Sequence, residues 1–308
     1  KGPLMNTTTR TRPTHAPVRA AVVGVDKLSE HFTRITFAAP GVGTPDVPIY
    51  DQRIKLIFPA PGHPLPDLGA DWYASWCALP EDTRGVMRTY SIRALDLSTE
   101  SARLTVDFVL HPDPGPAAAW AEQAAPGQEI ILVAPQRGAD PSGIEFAPGA
   151  ATDVVLAGDE TAAPAIARIL EDLGPDITGV AFIEIPTPDD ALPISAPPGI
   201  EVRWLARAGA AHGTLLTPAV LGHLGAVLVD DEPPAAEPVA DLVWETPQFS
   251  SLGEQVSKTR PNRHTYHWIA GESGMVTRLR RALVKDHGLD RSQVAFMGYW
   301  KHGVAMRG

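Results

Sequence analysis

The hydrophobic period of the chain changes once, between Ala147 and Ala151, and this limits the fold more than any other feature. Before it, apolar residues come in short, β-branched runs: Ala20 to Val25, Thr33 to Phe37, Arg53 to Phe58, Arg88 to Arg93, Arg103 to Leu110 and Glu129 to Pro135. Pro40-Gly41, Pro61-Gly62 and Pro126-Gly127 separate them as turns. Six strands so punctuated predict a closed antiparallel barrel. One helix, Ala117 to Gln123, is expected inside this half, because Gly115-Pro116 sets proline at a favourable first-turn position. Pro59 to Met87 is too long for a hairpin loop and reads as a lid or an extra surface element.

After the change, strands alternate with helices. Asp153 to Ala157, Gly179 to Ile185, Glu201 to Leu205, Asp241 to Val243, His267 to Ala270 and Val294 to Tyr299 read as strands. Thr161 to Leu173, Leu215 to Leu224 and Met275 to His287 read as helices. Alternation at this spacing implies parallel βαβ units. The expected fold is therefore β + α/β: a six-stranded antiparallel barrel domain over 17–149, then a parallel-sheet α/β domain over 150–308 with a C-terminal segment. Pro186 to Pro198 and Asp230 to Pro238 read as proline- and acid-rich loops.

Composition narrows the function. A chain of 308 residues with net charge −10 can bury two cores and repels nucleic acid and anionic membranes. Its single cysteine, Cys77, excludes an intrachain disulfide and an all-cysteine metal cluster, and favours a reducing compartment. No apolar run reaches the roughly 18 residues of a membrane span, and no signal peptide is visible. Lys1 to Leu4 read as a cloning remnant before Met5. A cytoplasmic monomer is expected.

Two segments carry chemistry. In Arg88-Thr-Tyr-Ser-Ile-Arg93, alternation puts Arg88, Tyr90 and Ile92 on one strand face and Thr89, Ser91 and Arg93 on the other. A flavin needs a cation for its pyrophosphate, an aromatic ring against the isoalloxazine and a small hydroxyl near N5, and these residue types supply all three. An ordinary exposed strand would carry the same letters. In His111-Pro-Asp-Pro-Gly115-Pro116-Ala117-Ala-Ala-Trp120, a strand runs into a turn and a helix start, where free backbone N–H groups suit phosphate. Trp120 could stack on adenine or pack on the barrel.

These segments, with Gly158-Asp159-Glu160-Thr161-Ala162 and Gly298-Tyr299-Trp300-Lys301-His302-Gly303, resemble in order the siderophore-interacting proteins. These are flavin-dependent ferric-siderophore reductases of the ferredoxin–NADP⁺ reductase-like superfamily. The resemblance spans Val18 to Gly303. It implies FAD in the barrel, NADH or NADPH as donor at the second domain, and a ferric siderophore as substrate. By that resemblance Arg88, Tyr90, Ser91 and Arg93 match the flavin motif, and His111 with Gly115, Pro116 and Ala117 matches the pyrophosphate segment. Asp159, Thr161 and Ala162 match a segment that approaches the flavin from the second domain. Thr89, Asp107, Phe108, Val109, Trp120 and Trp300 complete the expected cofactor set. No catalytic residue and no protein metal ligand is required, since the flavin carries the chemistry and the siderophore fills the iron's shell.

Lys55, Arg137 and Lys301 resemble the family's basic substrate cluster; singly, each also reads as a solvated cation or a salt-bridge partner. Lys301-His302 stands where the family often has Arg-x, and Ser273 where alanine is common. Asp159 and Glu160 equally suit a helix N-terminus. No G-x-G-x-x-G is present, so a dedicated Rossmann fingerprint is lacking. Arg207 is a candidate for a 2′-phosphate contact or an unpaired surface arginine. A reductase with another acceptor, a siderophore carrier without turnover and ferredoxin as donor remain open.

Overall fold

In the computed structural model the described residues are 14–43, 48–138, 142–226, 242–247, 249–250 and 264–304. The first half builds one antiparallel sheet from β1 (His15–Lys27), β2 (Phe32–Pro40), β3 (Arg53–Phe58), β4 (Val86–Ser91), β5 (Ala94–Asp96), β6 (Ser101–Val109) and β7 (Glu129–Pro135), in the order β4-β3-β7-β1-β2-β6-β5. Six of these strands match the runs read from the sequence; the seventh, the three-residue β5, lies beyond the run expected over Arg88 to Arg93, where the chain bends at Ile92 and Arg93 and pairs anew with β6. Ile92 N–H donates to the Gln52 carbonyl beside β3, and Arg93 N–H donates to the Thr105 carbonyl on β6. A single segment therefore runs from one edge of the sheet to the other, and the sheet curls into a half-barrel rather than the fully closed barrel expected from the sequence.

Alternation explains which side chains fill the barrel. On β6, Ala102, Leu104, Val106 and Phe108 are buried inward with Phe37, Leu56 and Leu132, while Arg103 and Thr105 face out. The helix α1 (Trp72–Ala78) lies in the long segment between β3 and β4, which is thus a surface element. Its Trp76, with Leu65, packs on Ile57, Met87, Ile131 and Val133, which point out of the barrel. The helix α2 (Pro116–Glu122) follows β6 and packs across one end of the barrel.

The second half forms a sheet from β8 (Asp153–Gly158), β9 (Thr178–Ile185), β10 (Gly199–Ala206), β11 (Trp244–Thr246), β12 (Phe249–Ser250), β13 (Thr265–Glu272) and β14 (Val294–Trp300), in the order β10-β9-β8-β13-β14-β11-β12. The five strands from β10 to β14 in that order are parallel, and β11 and β12 are an antiparallel edge. The central strands β8, β9 and β13 are buried along nearly their whole length because both faces are covered, whereas the edge strand β10 is largely half-buried or exposed. The helix α3 (Ala163–Asp172) and Phe32 of the barrel cover one face. The helices α4 (Leu216–His223) and α5 (Ser273–Arg280), the latter continuing as a π-helical turn to Asp286, cover the other.

The strand expected over Asp241 to Val243 is displaced: the edge strand starts at Trp244, and Asp241 lies outside the described residues, as does the Asp230 to Pro238 loop. Among the described residues no helix is long and apolar enough to cross a membrane.

Candidate cofactor and substrate site

Chain order reverses between β8 and β13, so the two loops leaving these strands part and open a crevice at the carboxyl edge of the sheet. Asp159 and Glu160 follow β8, Arg207 and His212 follow β10, Glu272 ends β13 and Trp300 ends β14. Across the junction, His111 of the barrel half faces the Trp300 ring at 6.4 Å.

Asp159 is fully buried and organises this edge. Its Oδ1 accepts from Thr161 N–H at 2.9 Å and Thr161 Oγ1 at 2.5 Å. Its Oδ2 accepts from Glu272 N–H at 2.7 Å and from Trp300 Nε1 at 3.0 Å. The close fit requires Gly271, where a Cβ would meet that carboxylate at 2.6 Å and φ is +139°. Burial, then the neighbouring Glu160 charge, pushes the Asp159 carboxyl up to about 6. Glu160 goes the other way. Burial acts to raise it, but hydrogen bonds from His212 and Arg207 outweigh that and hold it at about 2. Arg207 grips it with two bonds of 2.7 and 2.6 Å, and His212 Nε2 adds a third at 2.9 Å. Arg207 is therefore neither a surface cation nor free for a 2′-phosphate.

The barrel side is different. Arg88 lies opposite Leu56 and Tyr90 opposite Ile54, so both sit on the inward face of the sheet. The Tyr90 ring rests on Phe108 at 4.7 Å. Arg88 is half-buried, and among the described residues its one hydrogen bond is to the carbonyl of its neighbour Met87. No carboxylate among the described residues pairs with it, and burial lowers its pKa. The helix α2 packs near β4, its N-terminus carries no side-chain cap, and the space beside Gly115 is open. A partly desolvated cation without a counter-ion, beside free backbone N–H groups, fits the pyrophosphate of FAD.

Other expected cofactor residues are placed differently. Arg93 gives both guanidinium nitrogens to Glu171 of α3, at 2.7 and 2.6 Å, and lies 3.7 Å from Asp107. Asp107 in turn accepts two bonds from Arg34 at 2.7 and 2.8 Å. These charges neutralise one another between the two halves, so Arg93 and Asp107 tie the junction together. Phe108 turns its side chain into the barrel core, and Val109 packs against the core of the second half. Trp120 lies 5.1 Å from the Phe58 ring and 6.3 Å from Phe37, which favours packing over adenine stacking. Thr161 and Ala162 shape the turn after β8: Thr161 serves Asp159, and Ala162 is buried against Gly158.

On the outward face, Lys55 lies opposite Thr89 and donates to its Oγ1 at 2.8 Å; Ser91, opposite Arg53, points the same way. Burial, then the Arg53 charge, lowers the pKa of Lys55, and it has no carboxylate partner among the described residues. Arg137 is exposed just past β7, the neighbouring strand, and Lys301 follows Trp300 on the other half. Arg53 was not singled out from sequence. It pairs with Glu145 and lies 4.4 Å over the Trp244 ring, which stacks on Tyr299 at 6.1 Å. Arg53 Nε and the Tyr299 hydroxyl are buried without hydrogen-bond partners among the described residues. Only the register of Arg53 with Ser91 could have flagged it. His212 lies in a loop with no motif of its own.

Comparisons with known proteins identify the family and the fold. Residues 151–303 match the model of the siderophore-interacting protein family, and residues 21–139 match that of the siderophore-interacting FAD-binding domain. The chain belongs to the siderophore-interacting protein family, and its barrel followed by a parallel sheet is the ferredoxin–NADP⁺ reductase-like fold. It is 35% identical over 301 residues to an uncharacterized protein of Mycobacterium tuberculosis, covering 95% of this chain and 92% of that one. It is 28% identical over 218 residues to the ferric vibriobactin reductase ViuB of Vibrio cholerae, covering 71% and 65%. The crystal structure of a siderophore utilization protein from T. fusca superposes with a TM-score of 0.69 at 28% identity, covering 95% of each chain.

Proposed function

We propose that this protein is an FAD-dependent ferric-siderophore reductase that takes electrons from NADH or NADPH. The observation that carries the reading is Arg88: a partly buried guanidinium with no counter-ion, on the strand that also bears Tyr90 and Ser91, beside the open Gly115 turn. FAD, when bound, supplies the conversion of a two-electron donor into single-electron steps. Arg88 and the N–H groups after Gly115 hold the pyrophosphate. Tyr90, braced on Phe108, offers a flat apolar surface, and Ser91 offers a hydroxyl at the end of the strand. Trp300, fixed by its bond to Asp159, covers the sheet-side approach and limits water there.

The balance is simple. One NAD(P)H gives NAD(P)⁺, one proton and two electrons, and two Fe(III) become two Fe(II). Hard oxygen ligands hold Fe(II) far less tightly, so reduction releases the metal. The second half uses no glycine-rich phosphate loop, which suits a donor that binds and leaves within each turnover. The ferric substrate approaches Lys55, Arg137 and Lys301.

Anaerobic stopped-flow mixing with NADH and NADPH in parallel, then with ferric siderophores, tests the reading. Bleaching of the flavin by one nucleotide and recovery on adding a ferric siderophore, with two Fe(II) trapped per FAD, is expected. A protein that purifies without flavin and does not take it up contradicts it.

A further inference from the structure

The carboxyl edge of the parallel sheet, where a nucleotide lies in folds of this kind, is crowded with the chain's own carboxyl groups. Three of them fill backbone donors that such an edge can offer to phosphate. Asp159, after β8, takes the Thr161 N–H in the turn that leads into α3, at 2.9 Å. Glu184, buried near the end of β9, takes the Gly213, Leu215 and Leu216 N–H groups at the start of α4, at 2.7, 2.9 and 3.1 Å. Glu272, at the end of β13, takes the Met275 N–H in the first turn of α5 at 2.8 Å.

The fourth, Glu160, occupies a cation instead. It sits in the loop after β8, which walls the crevice, and draws Arg207 and His212 onto itself from the segment after β10. The Glu160 side chain is fully buried and that of Arg207 nearly so. His212 is held as well, with its ring edge to face against Trp300 at 4.7 Å. In many dinucleotide sites an arginine tells NADPH from NADH by taking the 2′-phosphate. Here the arginine brought to the crevice wall is already taken. A phosphate could claim it only by breaking a two-bond pair and leaving a buried carboxylate with one histidine.

We propose that this edge selects NADH over NADPH, and that Glu160 is the specificity-determining residue because it withholds Arg207 from the extra phosphate. The inference rests on the reductase reading above and chooses between its two donors. The selection works by rejection. NADH presents neutral ribose hydroxyls, whereas NADPH brings about two further negative charges to an edge lined by Asp159, Glu160, Glu184 and Glu272. Arg278 of α5 is the competing reader of that phosphate: its guanidinium lies 3.3 Å from where a Cβ on Gly213 would stand.

The test uses the full FAD-loaded chain as wild type, Glu160→Gln, Glu160→Gln/Arg207→Leu and Arg278→Ala. The first reading is the ratio of second-order rates of anaerobic flavin reduction by NADH and by NADPH. Wild type is expected to favour NADH by about tenfold or more. Glu160→Gln should narrow that ratio about threefold or more by speeding NADPH, and removal of Arg207 in the double variant should restore it. The second reading, free of turnover, is the affinity of wild type for 5′-AMP and 2′,5′-ADP, which differ by the 2′-phosphate. Tighter binding of 5′-AMP is expected, and this arm decides the proposal even where Glu160→Gln does not fold. Wild type that uses NADPH as fast as NADH, or binds 2′,5′-ADP more tightly, overturns the selection; loss of that behaviour in Arg278→Ala would assign the phosphate to Arg278. An unchanged ratio in folded, flavin-loaded Glu160→Gln overturns the role of Glu160. Flavin that neither nucleotide reduces overturns the donor reading and this choice with it, whereas a preference for NADPH overturns the choice alone.

Discussion

The two halves of the molecule bring opposite electrostatics to their junction. On the sheet side, the two buried carboxylates are saturated: Glu160 by Arg207 and His212, and Asp159 by four neutral donors. On the barrel side, Arg88 and Lys55 are partly desolvated and have only neutral hydrogen-bond acceptors. A closed set of ion pairs gains little from an incoming anion, whereas a cation without a counter-ion gains much. On the proposed function, this contrast would let the chain hold FAD on the barrel side and exchange a nicotinamide on the sheet side.

The largest expected effect breaks the closed side. Arg207→Ala leaves Glu160 buried beside a lone histidine, and unfolding free energy should fall by about 3–5 kcal/mol. Chemical denaturation measures it; a loss below about 1 kcal/mol would mean that the pair is exposed and screened.

A smaller effect compares two junction carboxylates. Asp51 accepts only from neutral donors, namely the Glu145 and Phe146 N–H groups and Trp268 Nε1. Burial, only partly offset by those bonds, pushes it up to about 6. A carboxyl raised in the folded state adds stability when protonated, and that stability is lost as pH rises from the unfolded value through about 6. Asp51→Asn removes this dependence. The substitution should therefore cost about 1 kcal/mol less at pH 7 than at pH 5. Glu160, held at about 2, behaves oppositely: its contribution is present above about 4.5 and lost as pH falls toward 2. Denaturation of both proteins at the two pH values checks the sign.

The smallest effect concerns the open side. Lys55→Ala should slow oxidation of reduced flavin by an anionic ferric catecholate by at most about 1 kcal/mol, and the difference should fade with salt. Rates at low and high ionic strength show it. An equal loss in flavin reduction by the nicotinamide would instead assign Lys55 to the packing of β3.

Much of this was legible in the sequence. Short alternating runs gave the barrel strands, because one inward face per strand forces period two. The apolar runs after Ala151 gave the parallel sheet, because both of its faces are buried. What stayed hidden depended on long-range partners. Alternation sets Arg88 and Arg93 on opposite faces, but nothing local shows that Glu171, some eighty residues on, takes up the second. Trp120 turned to the barrel because Phe37, Phe58 and Phe108 converge on it. The helix α1 was hidden because its tryptophans answer to the outward face of the barrel rather than to a helical stripe of their own.

The central claim is that junction cations without a carboxylate partner among the described residues serve a bound anion, Arg88 the cofactor, while those paired with carboxylates, such as Arg93, serve the fold. FAD affinity of Arg88→Ala and Arg93→Ala, measured side by side by titration of the apoprotein, tests it most directly. Arg88→Ala should lose about 1.5–3 kcal/mol of binding, tenfold or more in Kd. Arg93→Ala should bind FAD nearly as wild type does while unfolding at lower denaturant, because it breaks a strut between the halves. Undiminished binding by Arg88→Ala, or loss of FAD by a folded Arg93→Ala, would contradict the account.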